Sequence, residues 1–185
     1  MKHLFYLILL LALAGSCDHH KGWELAPGIY VLDKNSPVET LADLRDRLPR
    51  NAVYVDRWAT WCGPCLEEFT CYDSLRPFLE ANGIDILYLN SDMDIEESLW
   101  FDFIKENKLY GYHIRLNTQL QRDLIDQKVF IPRIPQFMIM DSAGTVLNHQ
   151  ALKPCDGKDL QRQLSGILHL EGPEGRIGLA YPPGR

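Results

Sequence analysis

Apolar and polar positions along this chain alternate in two rhythms. Ala52 to Ala59 and Ile84 to Asn90 are short β-branched and aromatic runs, the signature of buried strands. Shorter runs at Gly28 to Leu32 and Tyr112 to Arg115 predict two further strands. Phe137 to Asp141 and Thr145 to His149 predict a hairpin across Ser142-Ala143-Gly144. Between these the period lengthens to that of a helix. Val38, Leu41, Leu44 and Leu48 predict one helix, opened by Ser36-Pro37-Val38-Glu39 and closed by Pro49. Leu66, Phe69, Tyr72, Leu75, Phe78 and Leu79 predict another, kinked at Pro77. Asp94 with Glu97 opens a third, carrying Ile95, Leu99 and Phe103, with Trp100 and Phe101 covering the sheet. Thr118 and Gln121 form a capping box for a fourth, and Asp156 caps a last one that buries Leu160, Leu164, Ile167 and Leu168. Strands alternating with helices predict an α/β domain, a central sheet flanked by helices on both faces.

Both ends of the chain break the pattern. Lys2 and His3 precede an apolar run from Leu4 to Leu13, too short to span a bilayer, followed by Ala14, Gly15 and Ser16. That is signal-peptide architecture over residues 1–16 and predicts export. Residues 17–27 are polar and read as a tether; His19 and His20 within it suit an exposed linker better than a metal site. Residues 28–170 form the predicted domain. From Glu171 to Arg185 glycine and proline dominate, and the tail reads as irregular.

Of 185 residues 46% are hydrophobic, enough for one domain with a full core, and the formal charge of −6 comes without a basic cluster that would suit nucleic acid. Five cysteines are too few for a disulfide scaffold, so each needs its own account. Cys62 and Cys65, in Trp61-Cys62-Gly63-Pro64-Cys65, can be half a zinc site or a redox pair. No second pair at ligand spacing follows, so no metal is expected. A strand flowing into this motif and then a helix places Cys62 at a helix N-terminus, which lowers a thiol pKa from about 8.5. Cys65, three residues on, shares its face and lies within bridging reach. Pro64 is tolerated in a first turn. Upstream, Tyr54, Asp56 and Trp58 share one face of their strand, with Val53, Val55 and Arg57 on the other. Asp56 among apolar neighbours is expected to be desolvated, its pKa raised towards neutrality. Arg57 implies either an open face or a paired acid. Cys71 reads first as a small buried hydrophobe, with pairing to Cys155 as the alternative. His113 reads as structural.

At this point a resemblance carries further. Asp56-Arg57-Trp58-Ala59-Thr60-Trp61-Cys62-Gly63-Pro64-Cys65 resembles the thioredoxin active-site signature, and Ile134-Pro135-Gln136-Phe137 with Met138 to Gly144 is similar to the family's cis-proline strand and hairpin. The longer spacing between the two blocks matches the TlpA/ResA-like branch of bacterial cell envelopes, the extra segment being residues 109 to 131. The resemblance covers roughly residues 28 to 168 and implies a thioredoxin-like fold with a mixed sheet. It implies a thiol–disulfide oxidoreductase with no cofactor. Cys62 and Cys65 would be the redox-active catalytic pair, and Asp56, six residues before Cys62, the base for Cys65. Trp61, Gly63, Pro64, Ile134 and Pro135 would contact substrate, with Ile134–Pro135 cis. Tyr88 takes the place of the thioredoxin lysine one strand over. The Gly-Pro dipeptide resembles that of reducing members. Protein disulfides are the implied substrates and an envelope electron donor the implied partner, for a monomer. Cys17 after Ala-Gly-Ser resembles a lipobox, departing from it in Ala14 where leucine is usual. It implies lipidation and a membrane-surface anchor facing the periplasm, whereas cleavage after Ala14 or Ser16 would release a soluble protein. The rival from another class is a binding or adaptor lipoprotein that keeps the fold with a structural disulfide.

Overall fold

The computed structural model describes residues 23–93 and 96–170. The predicted signal peptide, Cys17, the His19-His20 pair, Asp94, Ile95 and the tail from Glu171 lie outside the described residues. Seven strands form one mixed sheet in the order β1-β2-β5-β4-β3-β6-β7. They are β1 (Trp23–Ala26), β2 (Ile29–Val31), β3 (Ala52–Trp58), β4 (Ile84–Asn90), β5 (Gly111–Arg115), β6 (Gln136–Met140) and β7 (Val146–Asn148). The central β2, β5, β4 and β3 run parallel; β6 runs antiparallel to β3, and β7 antiparallel to β6. β1 comes from the stretch that composition assigned to the tether. It pairs with β2, and its Trp23 ring packs at a tilt against Phe101, centroids 5.5 Å apart.

Alternation along the central strands makes two cores. Tyr54 and Trp58 of β3 and Ile84, Ile86 and Tyr88 of β4 face one side. There they meet α2 (Gly63–Phe69), α3 (Tyr72–Ala81), α4 (Glu97–Glu106) and α6 (Lys158–Ile167). Val53, Val55, Leu87 and Leu89 face the other side, against α1 (Leu41–Arg47) and α5 (Thr118–Asp126). Trp100 is buried in the first core with Phe101 packed against it, as expected of them, whereas Leu99 of the predicted apolar stripe is exposed.

Helix starts depart from the sequence reading wherever a tertiary contact takes the backbone first. The Ser36-Pro37 start does not form. Arg47 donates to the carbonyls of Leu32, Ser36 and Pro37, and the Asn117 side chain donates to that of Val38, leaving no helical turn there. α1 begins instead at a capping box of Thr40 and Asp43. Asn117, not Thr118, caps α5: its side-chain oxygen accepts from Leu120 N–H at 2.9 Å while its amide holds Val38. Asp156 closes a 3₁₀ turn (Pro154–Asp156) by accepting from Lys153 N–H, and α6 starts after Gly157. The long helix through Pro77 is broken elsewhere, at Thr70 and Cys71, with Pro77 inside α3.

Arg57 is buried, and among the described residues no acid pairs with it. Its guanidinium donates to the carbonyls of Ile131 and Arg133 and to Gln136 Oε1, and lies 4.2 Å over the Phe130 ring. Burial lowers its pKa to about 10, which leaves it charged at neutral pH. This cation ties the loop before β6 to β3, so it sets where Ile134 and Pro135 begin.

The shifted cap gives a direct check. Thr40→Ala should cost about 1 kcal/mol in urea denaturation, and Ser36→Ala within about 0.5 kcal/mol of nothing. The opposite ranking would restore the helix start read from Ser36.

Candidate active site

β3 ends at Trp58, and the chain turns through Ala59 to Trp61 into α2. Asp92, after β4, fastens that turn by accepting from Thr60 N–H at 2.9 Å and from the Thr60 hydroxyl at 3.0 Å. Cys62 is the N-cap of α2 and Pro64 sits in the first turn, where a missing N–H removes no helical bond. The Cys62 sulfur accepts from Cys65 N–H at 3.3 Å, and the two sulfurs are joined, S–S 2.01 Å. Both cysteines are buried, whereas Trp61 beside them is 72% exposed and Gly63 and Pro64 face solvent.

The face-sharing read along β3 places Asp56 with Tyr54 and Trp58, on the side where Cys62 and Cys65 pack. Asp56 is fully buried, with Oδ2 accepting from the Tyr72 hydroxyl at 2.8 Å and Oδ1 without a hydrogen-bond partner. Burial raises its pKa to about 7; the Tyr72 hydrogen bond opposes that rise and the Glu68 charge adds to it. Tyr88 stands directly across from Asp56 on β4, so no cation occupies that register position. On the next strand His113 stacks 4.9 Å from Tyr88 and bonds the Leu109 carbonyl through Nε2. Its pKa falls to about 4 through burial, which keeps it neutral and structural.

The Ile134–Pro135 peptide is cis and leads into β6, whose Gln136 pairs with Arg57 and Phe137 with Asp56. Ile134 packs against the core cluster that holds Cys62 and Cys65. The substrate-contact candidates therefore come to one end of the sheet.

Cys71 is not an isolated buried thiol. It bonds to Cys155, S–S 2.04 Å, and Cys155 is exposed. The alternative reading of Cys71 therefore holds over the buried-hydrophobe one; across 84 residues of chain only the fold could supply the distance. Glu68 was missed. It is buried, accepts from Cys155 N–H at 2.8 Å through Oε2, and pairs through Oε1 with Lys153 at 2.8 Å. A signal existed: Cys65, Glu68 and Tyr72 recur at i, i+3 and i+7, so a charged residue sat on the buried face of the stretch.

No protein-family model matches the chain. It is similar to the thiol-disulfide oxidoreductase ResA of Bacillus anthracis, 24% identical over 181 residues covering 89% of this chain and 94% of that one. ResA of Bacillus subtilis is 24% identical over 144 residues, covering 78% and 74%. Among solved structures, a candidate thiol-disulfide oxidoreductase from Bacteroides vulgatus superposes with a TM-score of 0.55 at 28% identity, over 71% of this chain and 80% of that one. A thiol:disulfide interchange protein from Bacteroides sp. gives 0.51 at 22% identity over 69% and 80%, a likeness of fold. The fold is thioredoxin-like.

The raised acid has a consequence for stability. Unfolded, Asp56 ionises near its ordinary 3.8; folded, near 7. Between these values the folded protein holds a proton that the unfolded chain has lost, so stability falls as pH rises through the window and levels off above it. Asp56→Asn should flatten that slope and stabilise the oxidised protein at pH 8 by about 2–4 kcal/mol, read by urea denaturation at pH 5 and pH 8.

Proposed function

We propose that this chain, a thioredoxin-like thiol–disulfide oxidoreductase, works in the bacterial cell envelope as a reductant of protein disulfides, using Cys62 as nucleophile and Cys65 as resolving thiol. The observation that carries this reading is the Cys65 N–H pointing at Cys62 Sγ from the first turn of α2. A donor held there stabilises a sulfur anion in the reduced protein, and the thiolate is the attacking form. Exposed Trp61 and the loop of Ile134 and Pro135 take the substrate segment, with Gly63 and Pro64 presenting backbone to it.

The reaction transfers two electrons. Cys62 thiolate attacks one sulfur of a substrate disulfide; that S–S bond breaks, one substrate sulfur leaves as thiolate, and Cys62 is joined to the other. Asp56, as carboxylate, accepts the Cys65 proton. The Cys65 thiolate then attacks Cys62 Sγ, the second substrate sulfur leaves, and the Cys62–Cys65 disulfide remains. An acid with a pKa of about 7 suits this role, because near neutrality it is ionised often enough to take the proton and basic enough to hold it. Oxidised protein returns to the dithiol through an envelope electron donor.

Residues 1–16 serve as the signal peptide, and Cys17, once acylated, anchors the domain to the membrane surface on the periplasmic side, with residues 17–22 as the tether ahead of β1. Each buried CH₂ of such chains contributes roughly 0.8 kcal/mol, so multiple chains hold a domain stably. Among the described residues no helix is long and apolar enough to cross a membrane. The domain acts as a monomer.

In an insulin-reduction assay Cys62→Ser should be inactive, and near-normal turnover would overturn the scheme. Cys65→Ser should accumulate mixed disulfides with substrate, identifiable by mass after acid quench. Asp56→Asn should slow the resolution step at pH 7 by about 10²-fold while leaving the first attack largely unchanged.

A further inference from the structure

The break between α2 and α3 lies where sequence periodicity runs on without interruption. Thr70 ends α2, and Cys71 is the N-cap of α3 with no side-chain capping bond, its sulfur being joined to Cys155. Three residues before Cys71 stands Glu68, and next to it Tyr72. Both act on Asp56. Tyr72 donates its hydroxyl to Oδ2, and the Glu68 charge favours the protonated acid. The far half of the disulfide carries the groups that compensate Glu68. Cys155 donates its own N–H to Oε2, and Lys153, two residues earlier, pairs with Oε1.

We propose that the Cys71–Cys155 disulfide is a positioning device for the buried acid of the active site. By fastening the α2–α3 break to the 3₁₀ turn, it keeps Glu68 against its two counter-groups and the Tyr72 hydroxyl on Asp56, and so sets the pH range in which Cys65 resolves mixed disulfides. The inference rests on the reading of Asp56 as the base for Cys65.

The sign follows from what each group does. A buried carboxylate that loses a cation and an N–H donor presents an uncompensated negative charge to its neighbours. That charge disfavours a second carboxylate nearby. A Tyr72 hydroxyl that drifts from Oδ2 withdraws a hydrogen bond to the ionised form. Both changes push proton affinity at Asp56 upward. The other polar groups around the acid are Tyr54 on its own strand and Tyr88 on β4. Phe137 of β6, opposite in register, is apolar. Arg76 and Asp73 of α3 act on Tyr88, and Asp156 of the 3₁₀ turn acts on Lys153 and Tyr54. None of these replaces the pair held at Glu68.

The test uses the full-length chain with Cys62–Cys65 reduced and Cys71–Cys155 kept oxidised, and an aromatic disulfide reagent, which forms a mixed disulfide on Cys62 and releases a coloured thiol when Cys65 resolves it. For Cys71→Ser/Cys155→Ser the pH midpoint of resolution should rise by about half a unit to one unit, a slowing at pH 7 of roughly 2- to 5-fold. Lys153→Met leaves the disulfide in place, removes one counter-group, and should move the midpoint in the same direction by less. It carries the test if the double variant does not fold. A folded double variant with an unchanged or lowered midpoint overturns the proposal, as does Lys153→Met alone if it lowers the midpoint or leaves it in place. Asp56→Asn separates the two readings. If it leaves the wild-type profile intact, the role of Asp56 fails. If it abolishes the pH dependence while the cysteine and lysine variants change nothing, only the positioning role of the second disulfide fails.

Discussion

A carboxyl group with no exposure to solvent sits in the middle of this sheet, and most of the active end is arranged around keeping it there. Asp56 is placed by β3, central in the sheet between β4 and β6, and covered by the same aromatic core that buries Cys62 and Cys65. A buried acid costs stability at neutral pH unless it stays protonated. The surroundings settle the compromise near pH 7: burial raises the pKa, one tyrosine hydroxyl restrains it, and one neighbouring carboxylate adds to it. The protein thereby keeps a group able to exchange a proton near neutral pH on the sheet face where its dithiol packs.

The opposite face of the same strand shows how differently one buried charge can be accommodated. Arg57 carries a cation that cannot shed its proton at physiological pH, so it is held by carbonyls, an amide oxygen and a ring face. Two charges on adjacent residues, pointing to opposite cores, have separate roles. Asp56 carries the proton affinity that the proposed chemistry draws on, and Arg57 secures the loop that leads to Ile134 and Pro135. Cys71–Cys155 does for α3 what Arg57 does for that loop, fastening a segment of backbone that borders the dithiol.

Resemblance to relatives of known class and the local geometry point the same way from independent grounds. Curated relatives named as thiol-disulfide oxidoreductases span most of the chain, and a solved structure of the same description superposes over 71% of it. The disulfide between Cys62 and Cys65 is the oxidised form of such a dithiol.

What could be read from the residues alone was whatever depends on local periodicity and spacing. Alternation along Ala52 to Trp58 was enough to assign Asp56 and Arg57 to opposite faces, because a strand's side chains alternate whatever surrounds them. Cys62 and Cys65 were legible as a bridging pair because three residues on a helix make one turn. Tertiary structure alone decided features that join segments distant in the chain. Cys71 met Cys155, Glu68 met Lys153, and Asn117 and Arg47 took the carbonyls that a helix at Ser36 would have used. The physical reason is the same in each case. A backbone or side-chain group bonds to whichever partner the packed chain brings within reach, and local pattern lists only the partners nearby in sequence.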